Sequence, residues 1–271
     1  MAALLAIALA ACGSNEQARE SAPRAARLSG CAMTVNVFTV PTPGARRLVP
    51  KRYRLSSELR TGKTAVDFWV LDCEHVRVDG GVPGPATVNL VSAVVSDPLV
   101  ARPRQRVAPA AYDHYVLWAD VDRPALAAAL RRAGLPAVFV PGLRRGGVDP
   151  QMTEAPDRYR LAMPISTVLD KPHDHGNSWW RDDASGRTAR LELRVRQAND
   201  HLCSESDCLA TVTAPLGSAL ADLLGVTKLR ARASFDHLPL DAQMTFSAPR
   251  CTRFARERTL RCGAKSSVRS E

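Results

Sequence analysis

Long apolar runs are missing from this chain of 271 residues. The run at 2–11 is ten residues long; as a helix it rises about 15 Å, against a hydrocarbon core of about 30 Å, so it cannot span a bilayer. Lysine is scarce: Lys51, Lys63, Lys171, Lys228 and Lys265 are five of 37 basic residues. Aromatic residues make up 5%, and they do not interleave with basic ones in the way that stacks bases, which argues against nucleic acid as a partner. The chain contains no GxSxG elbow, no glycine-rich phosphate loop and no HExxH helix, so the commonest hydrolase, nucleotide and zinc-protease arrangements are excluded. Adjacent carboxylates such as Asp182 and Asp183 point apart in extended backbone and cannot share a substrate. No catalytic set, metal site or cofactor is assigned from the residues, and the reading favours a ligand-holding protein over an enzyme.

What is present begins with the N-terminus, MAALLAIALAACGSNEQ. Residues 1–11 have the form of an export signal that ends in small residues. Leu9, Ala10, Ala11 and Cys12 resemble the bacterial lipobox. That resemblance implies cleavage before Cys12, diacylation of that cysteine as the new residue one, palmitate among the acyl chains, and anchoring on the outer face of a bacterial membrane. Met1–Ala11 carries no Lys or Arg, although export signals usually open with one, so the true start is expected a few codons upstream. An ordinary apolar terminus and a plain secretory signal are the alternatives. The following residues, to 30, are polar and alanine-rich without apolar period, which suits a tether over 12–30.

Setting Cys12 aside leaves Cys31, Cys73, Cys203, Cys208, Cys251 and Cys262, an even number that implies three disulfides in an exported chain. Spacing favours Cys203 with Cys208 and Cys251 with Cys262, which leaves Cys31 for Cys73. A zinc site with His201 beside Cys203 and Cys208 is the alternative. Residues 31–271 suffice for a single disulfide-stapled domain with its own core. The formal net charge is +10. Outside a cell such a surface meets anionic lipid or envelope polymer first.

Two-residue alternation is the strongest pattern. In TARLELRVR, Leu191, Leu193 and Val195 face one way and Arg190, Glu192, Arg194 and Arg196 the other. KLRARASF repeats it, with Leu229, Ala231, Ala233 and Phe235 inward. Further strands are predicted at 33–40, 65–78, 86–95, 114–121, 137–142, 157–163, 208–214 and 242–248. Two helices interrupt them: one has Asp122 as N-cap, Pro124 in its first turn and Gly134 as stop, and the other lies between Ser218 and Gly225. The fold class is therefore α+β and β-rich, a large antiparallel sheet curled as a barrel or sandwich with two short helices packed on it.

The stretch LDKPHDHGNSWWRDD, 169–183, reads as a loop, either solvated with its histidines and aspartates satisfying one another or rimming a ligand. His173 and His175 project from one face of an extended segment, a spacing also seen in metal ligands, although a third ligand would have to come from Asp174, Asp182 or His201. Asn177, Trp179 and Trp180 complete the candidate ligand-binding set. One indole is expected to face the core and the other to lie outside or over a cavity mouth. Trp69 and Trp118 are expected in the core.

The order VLDCEHVRVDG, GPATVNLVSAVVSDP, YVLWADVDRPALAAALRRAGLPA resembles the strand, strand, strand, helix order of acetoacetate-decarboxylase-like barrels. That resemblance implies a barrel around a small-acid pocket. Decarboxylases of that family use a Schiff-base lysine beside a second lysine, whereas the five lysines here are isolated from one another, so the barrel carries over and the decarboxylase chemistry does not. The overall expectation is a lipid-anchored envelope protein holding a small or apolar ligand in a β-barrel, with an enzyme on the same barrel, or a basic module docking on anionic envelope components, as the alternatives. Intact-mass measurement of membrane-extracted protein should show a diacylated Cys12 at the N-terminus, and Cys12→Ser should leave the chain in the soluble fraction.

Overall fold

The computed structural model describes residues 24–58, 62–96, 113–146, 151–163, 173–203 and 209–250. The first half of the chain forms β1 (Arg24–Pro41), α1 (Thr42–Leu48), β2 (Arg54–Leu55), β3 (Ser57–Glu58), β4 (Lys63–Val78), β5 (Gly84–Ser96), β6 (Asp113–Val121), α2 (Pro124–Arg132) and β7 (Ala137–Phe139). The second half forms β8 (Arg144–Gly146), β9 (Gln151–Ala155), β10 (Tyr159–Met163), β11 (His173–Asp182), β12 (Thr188–Cys203), β13 (Thr211–Thr213), α3 (Ala219–Leu224), β14 (Lys228–Arg230) and β15 (Ala233–Arg250).

Seven strands pair in the order β5-β4-β1-β15-β12-β11-β6, and β6 pairs back onto β5, so the sheet closes into a barrel. Most joints are antiparallel, as the alternation implied. The β6–β11 and β6–β7 joints are parallel; the long excursion between β6 and β11 lets the chain return in the same direction, and no local pattern signals it. A second, five-stranded sheet, β14-β13-β10-β9-β8, lies against the outside of the barrel.

Closure gives every barrel strand two distinct faces. All seven contribute to one buried cluster that includes Met33, Leu71, Leu90, Val116, Trp179, Leu193 and Met244, and that cluster is the lumen. The opposite faces of β1 and β4–β6 present Phe38, Phe68, Val70, Val91 and Tyr115 to Tyr159, Leu161 and Val212 of the second sheet. Because β4 and β6 are buried on both sides, they read as nearly continuous apolar runs. In β12, Leu191, Leu193 and Val195 are buried while Arg190 and Glu192 are half-exposed, as the alternation requires.

α2 sets Leu126, Ala127, Ala129 and Leu130 into the lumen core beside Val121 and Val76, sealing that end with apolar side chains. Its N-cap is Arg123, with no side-chain cap; the expected cap, Asp122, instead accepts from the Thr87 backbone N–H at 2.8 Å. The Arg123 guanidinium donates to the carbonyls of Val76, Gly84 and Val82. α3 has the expected ends, a Ser218 hydroxyl that accepts from Ala221 N–H and a left-handed Gly225. α1 is a third helix that the sequence reading missed, because Pro43 and Gly44 lie in its first turn. Gly44 is required there: a Cβ would come within 2.8 Å of the Leu223 carbonyl of α3.

Three sequence boundaries shift. β1 begins at Arg24, with Ala26 and Leu28 buried and paired to Val78 and Val76, so 24–30 belong to the sheet rather than to a tether. Residues 173–182 are strand β11 rather than a loop, because β12 and β6 pair with them from both sides. KLRARASF is two strands: β14 ends at Arg230 in the second sheet, Ala231 and Arg232 hydrogen-bond to Ala210 and Val37, and β15 starts in the barrel at Ala233.

Cys31 and Cys73 are direct cross-strand partners on β1 and β4 and form a disulfide in the lumen. Of the other five, Cys203 ends β12, and Cys208, Cys251, Cys262 and Cys12 lie outside the described residues. The Cys31–Cys73 bridge closes a sequence separation of 42, which in the chain-entropy account stabilises by about 2–4 kcal/mol. Cys31→Ala/Cys73→Ala should lose that much in a denaturant titration without a change in barrel signature by circular dichroism.

Candidate functional site

Among the described residues, the lumen is apolar along most of its length and polar toward one end. Alternation on β4 turns Asp67, Trp69 and Leu71 inward, and on β5 it turns Leu90, Ser92 and Val94 inward. On β6 an extra residue against Val91 and Ser92 puts Leu117 and Trp118 together on the outside. The inward face therefore carries His114 and Val116 before that irregularity and Ala119 after it. Asp67 and Ser92 are cross-strand partners, and His114 pairs with Val94. These groups lie toward the ends of β4–β6 remote from α2.

All of these side chains are buried: Asp67 is 4% exposed, Ser92 0%, His114 1%, Trp69 6% and Trp179 0%. His114 Nδ1 stands 3.3 Å from Asp67 Oδ2, off hydrogen-bond alignment. The imidazole is stacked on Trp179, with centroids 5.3 Å apart and planes at 26°, and Trp69 meets both rings edge-on at 5.4 and 5.1 Å. Asp67 Oδ1, Ser92 Oγ, His114 Nε2 and the indole Nε1 atoms of Trp69 and Trp179 have no hydrogen-bond partner among the described residues. An unpaired buried polar group costs about 1–3 kcal/mol, and native folds keep few of them. Five such atoms at one spot in the lumen make it the candidate site.

The sequence-predicted set divides. Asn177 is buried and Trp179 is a wall of the polar cluster. Trp180 faces the other way, in the core beneath the second sheet, where its Nε1 donates to Asp113 Oδ1 at 3.3 Å and Arg190 lies over its ring at 4.8 Å. The two indoles thus share no platform: alternation sends them to opposite faces, and both are buried. The backbones of His173 and His175 pair with Ala198 and Val195; their side chains lie outside the described set. Trp69 is in the core as expected and Trp118 is half-buried. Asp67, Ser92 and His114 were missed, since each sits in an apolar run with no local motif; the only signal was a polar residue at an inward position of a strand buried on both faces.

Two further polar networks lie outside the lumen. Asp182 accepts from Arg52 Nε at 2.9 Å and from Tyr53 Oη at 2.8 Å, while Asp183 accepts from Ser185 and Arg187 within its own turn. Burial, reinforced by Asp182, pushes the Tyr53 hydroxyl far above the usual tyrosine range. Between barrel and second sheet, Arg158 Nη2 lies 2.9 Å from Asp120 Oδ1 and Asn89 Nδ2 donates to Tyr159 Oη at 2.5 Å. Burial raises the Asp120 carboxyl above the usual carboxylate range, against the downward pull of Arg158.

No family model matches the chain, and no curated protein matches it in sequence. Solved structures do match in fold. The acetoacetate decarboxylase of Legionella pneumophila superposes with a TM-score of 0.53 at 9% identity, over 84% of this chain and 87% of that one. An acetoacetate decarboxylase-like enzyme from Sphingomonas wittichii RW1 gives 0.53 at 10%, over 84% and 91%. The enduracididine biosynthesis enzyme MppR with HEPES bound gives 0.51 at 12%, over 87% and 89%. The strand-rich barrel with few short helices is thus the acetoacetate-decarboxylase-like barrel, and the likeness is one of fold.

A carboxyl whose folded pKa exceeds its unfolded value of about 3.9 holds its proton more tightly in the fold. Its contribution to stability is complete below the unfolded value and is lost as pH rises through the folded one. Urea titrations from pH 4 to 7 should therefore show a smaller decline in unfolding free energy for Asp120→Asn than for the native chain.

Proposed function

We propose that this chain is an enzyme that moves a proton on a small molecule inside the barrel lumen, with His114 as the acid–base group and Asp67 holding the imidazole. The observation that carries this reading is the buried Asp67–His114 pair with unpaired donors around it. An imidazole with one nitrogen facing a carboxylate and the other free is the arrangement that proton transfer needs, and burial removes competing water. The indole N–H groups of Trp69 and Trp179 are left to hold an oxygen of the ligand.

The fold supports an enzyme more than a simple carrier, because the structures that share it are named as enzymes. The substrate named for one of them, acetoacetate, is a small keto acid, and that class is the first to try here. A Schiff base has no support: Lys51, Lys63 and Lys228 are exposed, and Lys171 and Lys265 lie outside the described residues. His173, His175 and Asn177 are proposed as the ligand rim. Export, cleavage before Cys12, lipid anchoring in a bacterial envelope and the bridges Cys203–Cys208 and Cys251–Cys262 remain part of the proposal. The exposed Arg194, Arg230 and Arg232 are its contact surface for anionic lipid or polymer.

Exchange of the pyruvate methyl protons in deuterated buffer, followed by NMR, tests the reading. The native chain should accelerate exchange, and His114→Gln should reduce the acceleration by at least about 100-fold. Saturable quenching of tryptophan fluorescence by pyruvate without any exchange would leave the chain a carrier, and neither effect would remove small keto acids as its ligands.

A further inference from the structure

Ser92 is a buried polar group of the lumen that proton transfer alone does not use. It lies on β5, between the strand that carries Asp67 and the strand that carries His114, on the same inward face as both. It is directly opposite Asp67, and on β6 it is opposite Val116, one inward position from His114. Such diagonal neighbours are about 7–8 Å apart, a separation that an aromatic side chain such as histidine spans. Its hydroxyl is fully buried and has no partner among the described residues. A buried hydroxyl without a hydrogen-bond partner costs stability, whereas Ala at the same position would not.

We propose that Ser92 is a nucleophile, and that Asp67, His114 and Ser92 form an acyl-transfer site that hydrolyses small esters. The proposal rests on the acid–base reading of His114 and adds a covalent step to it. The roles follow from order and polarity. Asp67 faces His114 Nδ1, which leaves Nε2 as the free nitrogen to take a proton from Ser92 Oγ. Oγ then bonds to the carbonyl carbon of the ester, and the carbonyl electrons move onto its oxygen. The unpaired indole N–H groups of Trp69 and Trp179 are assigned in this proposal as the donors that hold that charge. Collapse breaks the bond to the alkoxy group, which leaves as an alcohol with the proton from His114. Water then gives a proton to Nε2 and its oxygen to the acyl carbon; the acyl bond to Oγ breaks and the proton returns to Oγ. The net change is ester and water to acid and alcohol, with no oxidant or second substrate.

The constellation arises without a sequence motif, since three strands closed into a ring supply one residue each. Its members need not be hydrogen-bonded before substrate arrives, because such contacts are often long in free enzymes.

The test is reaction of the full chain with a small fluorophosphonate, followed by intact mass and peptide mapping. One adduct on Ser92 is expected, with labelling slowed at least about 100-fold in His114→Gln. Hydrolysis of p-nitrophenyl acetate should show a burst that Ser92→Ala lacks. Mapping on the native chain needs no variant to fold. Absence of an adduct, an adduct on another serine, or a Ser92→Ala chain that hydrolyses the ester at the native rate would overturn the proposal. If pyruvate exchange persists in the native chain while Ser92 stays unlabelled, the nucleophile falls and the acid–base reading stands; if both fail, the lumen site falls with them.

Discussion

Everything at the candidate site depends on the double pairing of β6. This strand is hydrogen-bonded to β5 on one side and to β11 on the other, and those ladders turn an open sheet into a ring. A closed ring has no edges, and its inward side chains converge on one lumen. Asp67, Ser92 and His114 come from three consecutive strands of the ring, and Trp179 comes across from the fourth. Open the ring at β6, and the aromatic box around the imidazole loses two of its sides.

The two ends of the lumen differ in chemistry. At one end α2 inserts leucines and alanines among apolar strand side chains. Toward the other, a carboxylate, a hydroxyl, an imidazole and two indole N–H groups are buried with almost no pairing among themselves. Each such group costs about 1–3 kcal/mol, a large fraction of a domain's net stability. The cross-strand disulfide Cys31–Cys73 lies in the same lumen. The bridge and the apolar end offset what the polar end costs.

Much of the barrel was legible because physics writes it locally. One wet face gives β12 its alternation, and the helix caps Ser218 and Gly225 are local hydrogen-bond devices. The separation of Trp179 from Trp180 followed from the pleat, although burying both needed the second sheet. Where two covers act at once, the pattern vanishes: β4 and β6 are buried on both faces, so His114 and Asp67 look like interruptions of apolar runs. The break at Arg232 was hidden because alternation continues while the chain changes sheets. The reading of 169–183 as a loop failed because the pairing that makes it a strand comes from distant β6 and β12. The site itself was illegible, since no spacing links three residues that meet only through closure.

The most direct measurement is the ¹⁵N imidazole spectrum of the histidines in the folded chain while pyruvate is added. The account predicts a saturable change at His114 Nε2, lost in Asp67→Asn, while His75, on an exposed stretch of β4, stays unmoved. A His114 resonance indifferent to pyruvate and to other small carboxylates and esters, in a chain whose barrel is intact, would contradict it.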